Sequence, residues 1–141
     1  LDFLLIDLPP GTGDIHLSII NELRIGGAII VSTPQQVAVA DVVRGVEMFR
    51  NPNVNIPVLG VVENMAWFTP AELPNNRYYI FGKGGAKRYA EEVGVDLLGE
   101  VPIIQDIMQG ADDGNPAANT HPQVAEVYQQ IAQKVVDKMA K

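Results

Sequence analysis

Residues 3–14 read FLLIDLPPGTGD, an apolar run that ends on the carboxylate of Asp7 and turns at once into a loop of prolines and glycines. Apolar residues without alternation are typical of a strand that helices cover on both faces, so residues 3–7 are predicted to form a parallel strand. In open α/β sheets, ligands bind beyond the carboxyl ends of the strands. Asp7 therefore stands where half of a nucleotide site is expected.

The residue types at this junction suit a magnesium nucleotide. Mg²⁺ keeps several waters, and a carboxylate such as Asp7 on a strand end can orient them. Gly11 follows Pro9 and Pro10, which stiffen the segment, and its missing Cβ lets the backbone approach a terminal phosphate. On the residues alone, an alternative has equal weight: a strand followed by a plain turn, with Asp14 capping a helix that begins at residue 15.

The segment DLPPGTGD at residues 7–14 resembles the Walker B and switch II segment of the Mrp/ApbC family. These proteins are iron-sulfur cluster carrier ATPases of the deviant-Walker P-loop class, which also contains MinD and the nitrogenase iron protein. Shorter segments agree in the same order, namely STPQ at 32–35, VENM at 62–65, IFG at 80–82 and GEVP at 99–102. The resemblance extends to about residue 116.

The resemblance implies a P-loop NTPase fold, with Mg·ATP as the cofactor and a homodimer as the working form. It assigns catalysis to Asp7, which would hold Mg²⁺ through water, and to the Gly11 amide, which would contact the γ-phosphate. The nucleotide-binding residues that it implies are Asp7, Pro10, Gly11, Asn64, Pro102 and Ile103. The Asn64 amide offers the donor and acceptor that an adenine edge requires, although a turn asparagine is the commoner use of such a residue.

One segment departs from the family pattern. The family usually carries Cys-Pro-x-Cys where this chain has Thr69 and Glu72, and the chain has no cysteine. Iron-sulfur clusters are held by soft thiolates, for which a hydroxyl and a carboxylate are poor replacements. No cluster ligands are therefore predicted in this segment.

Amino-acid composition, considered apart from the resemblance, argues against some classes of function. The chain has 141 residues, 47% of them hydrophobic, and a formal net charge of −7 without a Lys/Arg run, which argues against a nucleic-acid surface. No apolar run approaches the roughly 18 residues of a membrane helix. We therefore expect one cytoplasmic domain that binds neither nucleic acid nor membrane.

Hydrophobic periodicity predicts strands that alternate with helices beyond residue 7. The predicted strands are 27–32, 58–63 and 97–101, and the predicted helices are 15–23, 37–49, 85–93 and 122–139. This alternation is typical of a doubly wound, mainly parallel α/β sheet. The glycine-rich run at 81–88 lacks the Walker A spacing, so a phosphate cradle is not predicted there.

Three further features leave alternatives open. The loop at 33–36 either faces the nucleotide or a second subunit, or Thr33 merely caps the next helix. Asp41 is either a dimer contact or, more commonly, a solvated helix carboxylate. His16 and His121 are expected to be surface or capping residues.

The chain begins without Met, and we expect it to be the C-terminal part of a longer ATPase whose phosphate loop lies outside it. These 141 residues alone are then predicted to be inactive. For the full-length protein, the favoured function is Mg·ATP hydrolysis that drives iron-sulfur assembly or transfer to apo client proteins. The alternatives are a MinD-like positioning or partitioning ATPase, which needs a basic amphipathic C-terminal helix, and a non-enzymatic protein-binding module.

Overall fold

The computed structural model describes all 141 residues, built around a three-stranded parallel sheet. The strands are β1 (Ala28–Ser32), β2 (Val58–Phe68) and β3 (Leu97–Ile103), in the order β1-β2-β3. In the register, Val31 pairs with Val62, which pairs in turn with Gly99. The longest strand, β2, is thus central, and its residues 59–63 are all buried.

Six helices connect and flank the strands. They are α1 (Asp14–Glu22), α2 (Gln36–Arg50), α3 (Gly85–Val93), α4 (Gln105–Asp112), α5 (Ala117–Thr120) and α6 (Pro122–Met139). The bounds predicted for α3 and α6 are confirmed, and those of α1, α2 and the three strands are confirmed at one end or within one residue. The short helices α4 and α5 were not predicted from the sequence.

The sheet is covered on both faces, which is why its strands read as apolar runs. On one face, Val42 and Val46 of α2 pack with Val61 of β2 and the first turns of α3. On the other face, Leu98 and Val101 pack with Val62 and with the apolar side of α6. The predicted doubly wound α/β class is confirmed.

The predicted strand at residues 3–7 is wrong: this segment has no regular structure and is exposed. Leu4 and Leu5 are 71% and 81% exposed. A strand exists only where its N–H and C=O groups pair with a neighbour, and the segment pairs with none of the three strands. The outer edge of β1 is likewise free, and Val31 there is 63% exposed.

The terminal helix α6 is a packing helix. Val124 is 2% exposed, and Val127, Ile131 and Val135 lie against the buried cluster around Leu98. Because its apolar side is used within the fold, α6 does not offer the free amphipathic face that a membrane-surface helix requires. None of the helices combines the length and apolarity that crossing a bilayer demands.

Candidate nucleotide site

A groove of about 1200 Å³ runs along the free edge of β1, and we call it the β1 groove. It is lined by the N-terminal segment, by β1 and by parts of α1 and α2. Of the predicted site residues, it brings together Asp7, Pro10, Gly11 and Asn64. These four residues thus share one groove, although the strand predicted before Asp7 is absent.

The loop after Asp7 leaves room for a ligand. Gly11 has a φ of +103°, and nothing lies within 4 Å of the position that a Cβ would take there. Only glycine adopts such a conformation without strain. The loop thus presents its backbone to open space beside an exposed carboxylate, which fits a magnesium nucleotide.

The side chain of His16 holds this loop through a hydrogen bond. Its side chain is 4% exposed, and Nε2 lies 2.7 Å from the Pro9 carbonyl oxygen, to which it donates a hydrogen bond. The expectation that His16 is a surface or capping residue is therefore wrong. The helix cap expected from Asp14 is also not seen, because α1 begins at Asp14 with Gly13 as its N-cap residue.

Asn64 lies at an irregularity of β2. Its Oδ1 accepts a hydrogen bond of 2.9 Å from the Met65 backbone N–H, and Met65 has a φ of 55°. The register between β2 and β3 shifts between Asn64 and Phe68. This is the local geometry of a turn asparagine, but it occupies only Oδ1. Asn64 also lines the β1 groove.

The other predicted positions are more dispersed. Pro102 and Ile103 are half-buried at the end of β3 and do not line the β1 groove, while Thr33 does. The expected cap from Thr33 is not seen, since Gln35 is the N-cap residue of α2. Asp41 is exposed and forms an ion pair of 2.9 Å with Arg44.

Sequence reasoning missed Glu63, a fully buried carboxylate on β2. It is 1% exposed, and its Oε2 accepts a hydrogen bond of 2.8 Å from the Ala86 backbone N–H at the start of α3. The available signal was a lone charge at the end of the apolar run 58–62. Glu63 thus places a carboxylate at the start of the helix that follows the glycine-rich run at 81–88.

Thr69 and Glu72 lie in the turn region that follows β2. Thr69 is half-buried and Glu72 is exposed. No group of three or more His, Asp or Glu side chains converges on a common point in the structure. The residues present do not fit an iron-sulfur cluster.

A parallel sheet with helices on both faces, and a Gly/Pro loop that follows the carboxylate of Asp7, match the class of P-loop NTPases. A nucleotide-binding protein of Archaeoglobus fulgidus in complex with ADP superposes with a TM-score of 0.71 at 41% identity, over 81% of this chain and 46% of that one. The cell division ATPase MinD of Pyrococcus furiosus shares the fold at 18% identity, with a TM-score of 0.56 over 79% of this chain and 43% of its own.

The family follows from the sequence. The family model described as ParA, NUBPL iron-transfer P-loop NTPase, matches residues 1–136, and the chain belongs to this family. It is 47% identical to an iron-sulfur cluster carrier protein of Aquifex aeolicus, over 94% of this chain and 36% of that protein. It is 43% identical to the mouse iron-sulfur cluster transfer protein NUBPL, over 99% of this chain and 43% of that protein.

The coverage values also show how much of its relatives the chain corresponds to. It spans less than half the length of these relatives. The resemblance to the Mrp/ApbC carriers is confirmed at the level of the family. What the whole protein binds and transfers is a matter for proposal.

Proposed function

We propose that this chain is the C-terminal part of a single P-loop ATPase domain, in a cytoplasmic, dimeric protein that hydrolyses Mg·ATP and serves iron-sulfur cluster transfer to apo client proteins. The observation that carries the proposal is the convergence of Asp7, Gly11 and Asn64 on the β1 groove. Family membership supports it.

In this proposal each groove residue has one task. Asp7 orients Mg²⁺ through a water molecule, because Mg²⁺ dehydrates reluctantly and prefers oxygen ligands. The Gly11 amide, with Pro10 holding the loop, contacts the γ-phosphate, and Asn64 holds the adenine base. Pro102 and Ile103 reach the ring only if the base extends from the groove toward the end of β3. Bound Mg²⁺ would supply charge neutralisation at the phosphates, and positioning would provide most of the rate gain.

In this proposal, the cluster is not held by this chain. Thr69 and Glu72 offer no thiolate, and the chain has no cysteine. Any cluster that the full-length protein transfers is therefore bound by residues outside these 141. Anaerobic reconstitution of the full-length protein with iron and sulfide, followed by visible absorption and transfer to an apo-acceptor, tests this step. Absence of any cluster would contradict the carrier role and leave the ATPase role standing.

The ATPase role is tested by Asp7→Asn in the full-length protein. Losing one electrostatic group of an active site costs about 100-fold in kcat, and we expect a loss of that order in Mg·ATP hydrolysis. Asp2→Asn is the matched control, because it removes a carboxylate from the same exposed segment but outside the groove lining. Unchanged hydrolysis in Asp7→Asn would refute the assignment.

A further inference from the structure

Glu63 is the one acidic side chain that the fold buries completely, at 1% exposure on the central strand. The first backbone N–H groups of a helix have no partner within it and carry partial positive charge. The Glu63 carboxylate satisfies one of them, the Ala86 N–H, at 2.8 Å. A buried carboxylate that keeps a specific partner is a fixed point of the structure, because moving either partner leaves a buried polar group unsatisfied.

This hydrogen bond closes an excursion of the chain at its base, residues 64–85, which starts with the end of β2 up to Phe68 and continues to the start of α3. We call these residues the 64–85 loop. Further out, Phe68 and Tyr78 exchange two backbone hydrogen bonds of 2.8 Å and close the loop a second time. The loop is therefore held to the sheet at its base by the pairing of Glu63 with Ala86, and further out by the pairing of Phe68 with Tyr78 and with Ile103 of β3.

The same helix start touches the groove side of the sheet. A Cβ on Gly85 would lie 2.1 Å from the Pro34 carbonyl oxygen, so the first residue of α3 packs directly on the loop that follows β1. Thr33, the residue before Pro34, lines the β1 groove. Asn64, the residue after Glu63, lines it as well. The first turn of α3 therefore contacts the residue that follows Thr33 and, through its hydrogen bond to Glu63, the residue that precedes Asn64.

From this arrangement we infer that Glu63 is a positioning residue that couples the β1 groove to the 64–85 loop, so that nucleotide binding in the groove changes the position of the loop. The inference rests on the proposed nucleotide site. Two sites are coupled when a ligand at one shifts an element shared by both, and here that element is the start of α3, held between Pro34 and Glu63.

The loop contains its own reporter. Trp67 is the only tryptophan of the chain, and the Arg77 guanidinium lies 4.0 Å from the centroid of its ring. A shift of the loop that alters this stacking changes the indole emission. The experiment uses the full-length protein with any tryptophan outside residues 1–141 replaced by phenylalanine, and follows Trp67 fluorescence during titration with Mg·ATP.

Four proteins are compared: the unmodified protein, Glu63→Ala, Glu63→Gln and Glu100→Ala. Glu100 pairs with Glu63 in the register but is half-buried on β3, which makes it the matched control. We expect an ATP-dependent emission change in the unmodified protein, its loss in Glu63→Ala and its retention in Glu100→Ala. Glu63→Gln should restore the change, because its amide oxygen still accepts a hydrogen bond from Ala86. An equal emission change in Glu63→Ala would overturn the inference.

Three further measurements make the test decisive. Calorimetric titration with Mg·ATP shows separately whether nucleotide binds at all, and the absence of binding would refute the proposed function. In that case, acrylamide quenching of Trp67 fluorescence without nucleotide would decide the role of Glu63. Stronger quenching in Glu63→Ala supports positioning, and equal quenching overturns it. If Glu63→Ala fails to fold, hydrogen exchange of the Ala86 amide in the unmodified protein decides instead: a change with ATP supports the coupling and an unchanged rate overturns it.

Discussion

Replacing Gly99 with alanine tests how closely α6 sits on the sheet. A Cβ at Gly99 would lie 2.6 Å from Cγ1 and 2.9 Å from Cδ1 of Ile131. Carbon atoms pack best at about 3.5–4.0 Å, so α6 must move away by about 1 Å. Ile131 cannot simply swing aside, because a β-branched side chain on a helix is confined to one preferred χ1 rotamer.

Two contributions of opposite sign determine how much Gly99→Ala changes the free energy of unfolding. Overpacking a core contact costs about 1–3 kcal/mol, whereas replacing glycine by alanine stabilises by about 0.4–1 kcal/mol through the unfolded chain. Gly99 is not among the residues with positive φ, so no backbone strain is added. We expect Gly99→Ala to lower the free energy of unfolding by about 1–2 kcal/mol, which corresponds to a Tm lower by roughly 4–8 °C for a domain of this size.

The assay is urea unfolding followed by circular dichroism, with the midpoint shifting at constant m value. Gly45→Ala is the matched control within α2. Its Cβ meets only the end methyl of Ile30 at 3.3 Å, and alanine is better than glycine in a helix by up to about 1 kcal/mol. This variant should be neutral or stabilised, opposite in sign to Gly99→Ala.

A double-mutant cycle isolates the contact between residue 99 and residue 131. Ile131→Ala alone leaves a cavity, but the alanine introduced at 99 partly fills it in the double variant. The two changes should therefore couple by about 1 kcal/mol or more, beyond the roughly 0.5 kcal/mol within which independent sites add. Additive effects, or a neutral Gly99→Ala, would refute the reasoning about how α6 is seated.

Three other outcomes follow from individual contacts. Leu98 is 0% exposed, and Leu98→Ala should lower the free energy of unfolding in urea by about 3 kcal/mol. A decrease of less than about 1 kcal/mol would mean that the residues packed around Leu98 move in to fill the cavity. A hydrogen bond from Lys138, reinforced by its charge, lowers the pKa of the Asp96 carboxyl; because the folded pKa is the lower one, this stability is present above about pH 4 and is lost as the pH falls below it. Since Asp96 is largely exposed, the effect should stay under about 1 kcal/mol, and Lys138→Ala should remove it from the pH profile. His16→Phe removes the hydrogen bond to Pro9 and should speed proteolysis of the loop around it, whereas an unchanged cleavage rate would show that the loop is held by other contacts.

The elements that sequence reasoning predicted correctly are those whose periodicity is long or whose ends carry clear signals. Residues 85–93 lie between two glycines in the left-handed conformation, and the helix at 122–139 begins with a proline in its first turn. The strand at residues 3–7 failed for a different reason: an apolar run shows only the tendency to pair, and the partner is a property of the whole sheet. The helices α4 and α5 are short, and Gly110 interrupts the pattern of α4.

For the candidate site, the rule that ligands bind at strand ends singled out Asp7, Gly11 and Asn64. All three line the β1 groove, although Asp7 does not follow a strand. The burial of Glu63 was not predictable, because its partner Ala86 is 23 residues away and the pairing depends on how the 64–85 loop returns to the sheet. Local patterns reveal which residues have unusual chemistry, and only the three-dimensional structure shows which partner satisfies them.

The start of α3 shows why the difference between a local sequence pattern and the actual structural partner matters for function. In the sequence, glycines and basic residues ahead of a helix favour an anion at its N-terminus, and the structure does place an anion there, but it is the carboxylate of Glu63. A phosphate could take that position only by displacing a buried charge from its one hydrogen-bond donor, which is strongly unfavourable. The backbone of the other glycine loop is open at Gly11, and this is where the proposed function places the phosphates. The same internal pairing holds the start of α3 between Pro34 and Glu63, which is the arrangement that the inferred coupling between the groove and the 64–85 loop requires.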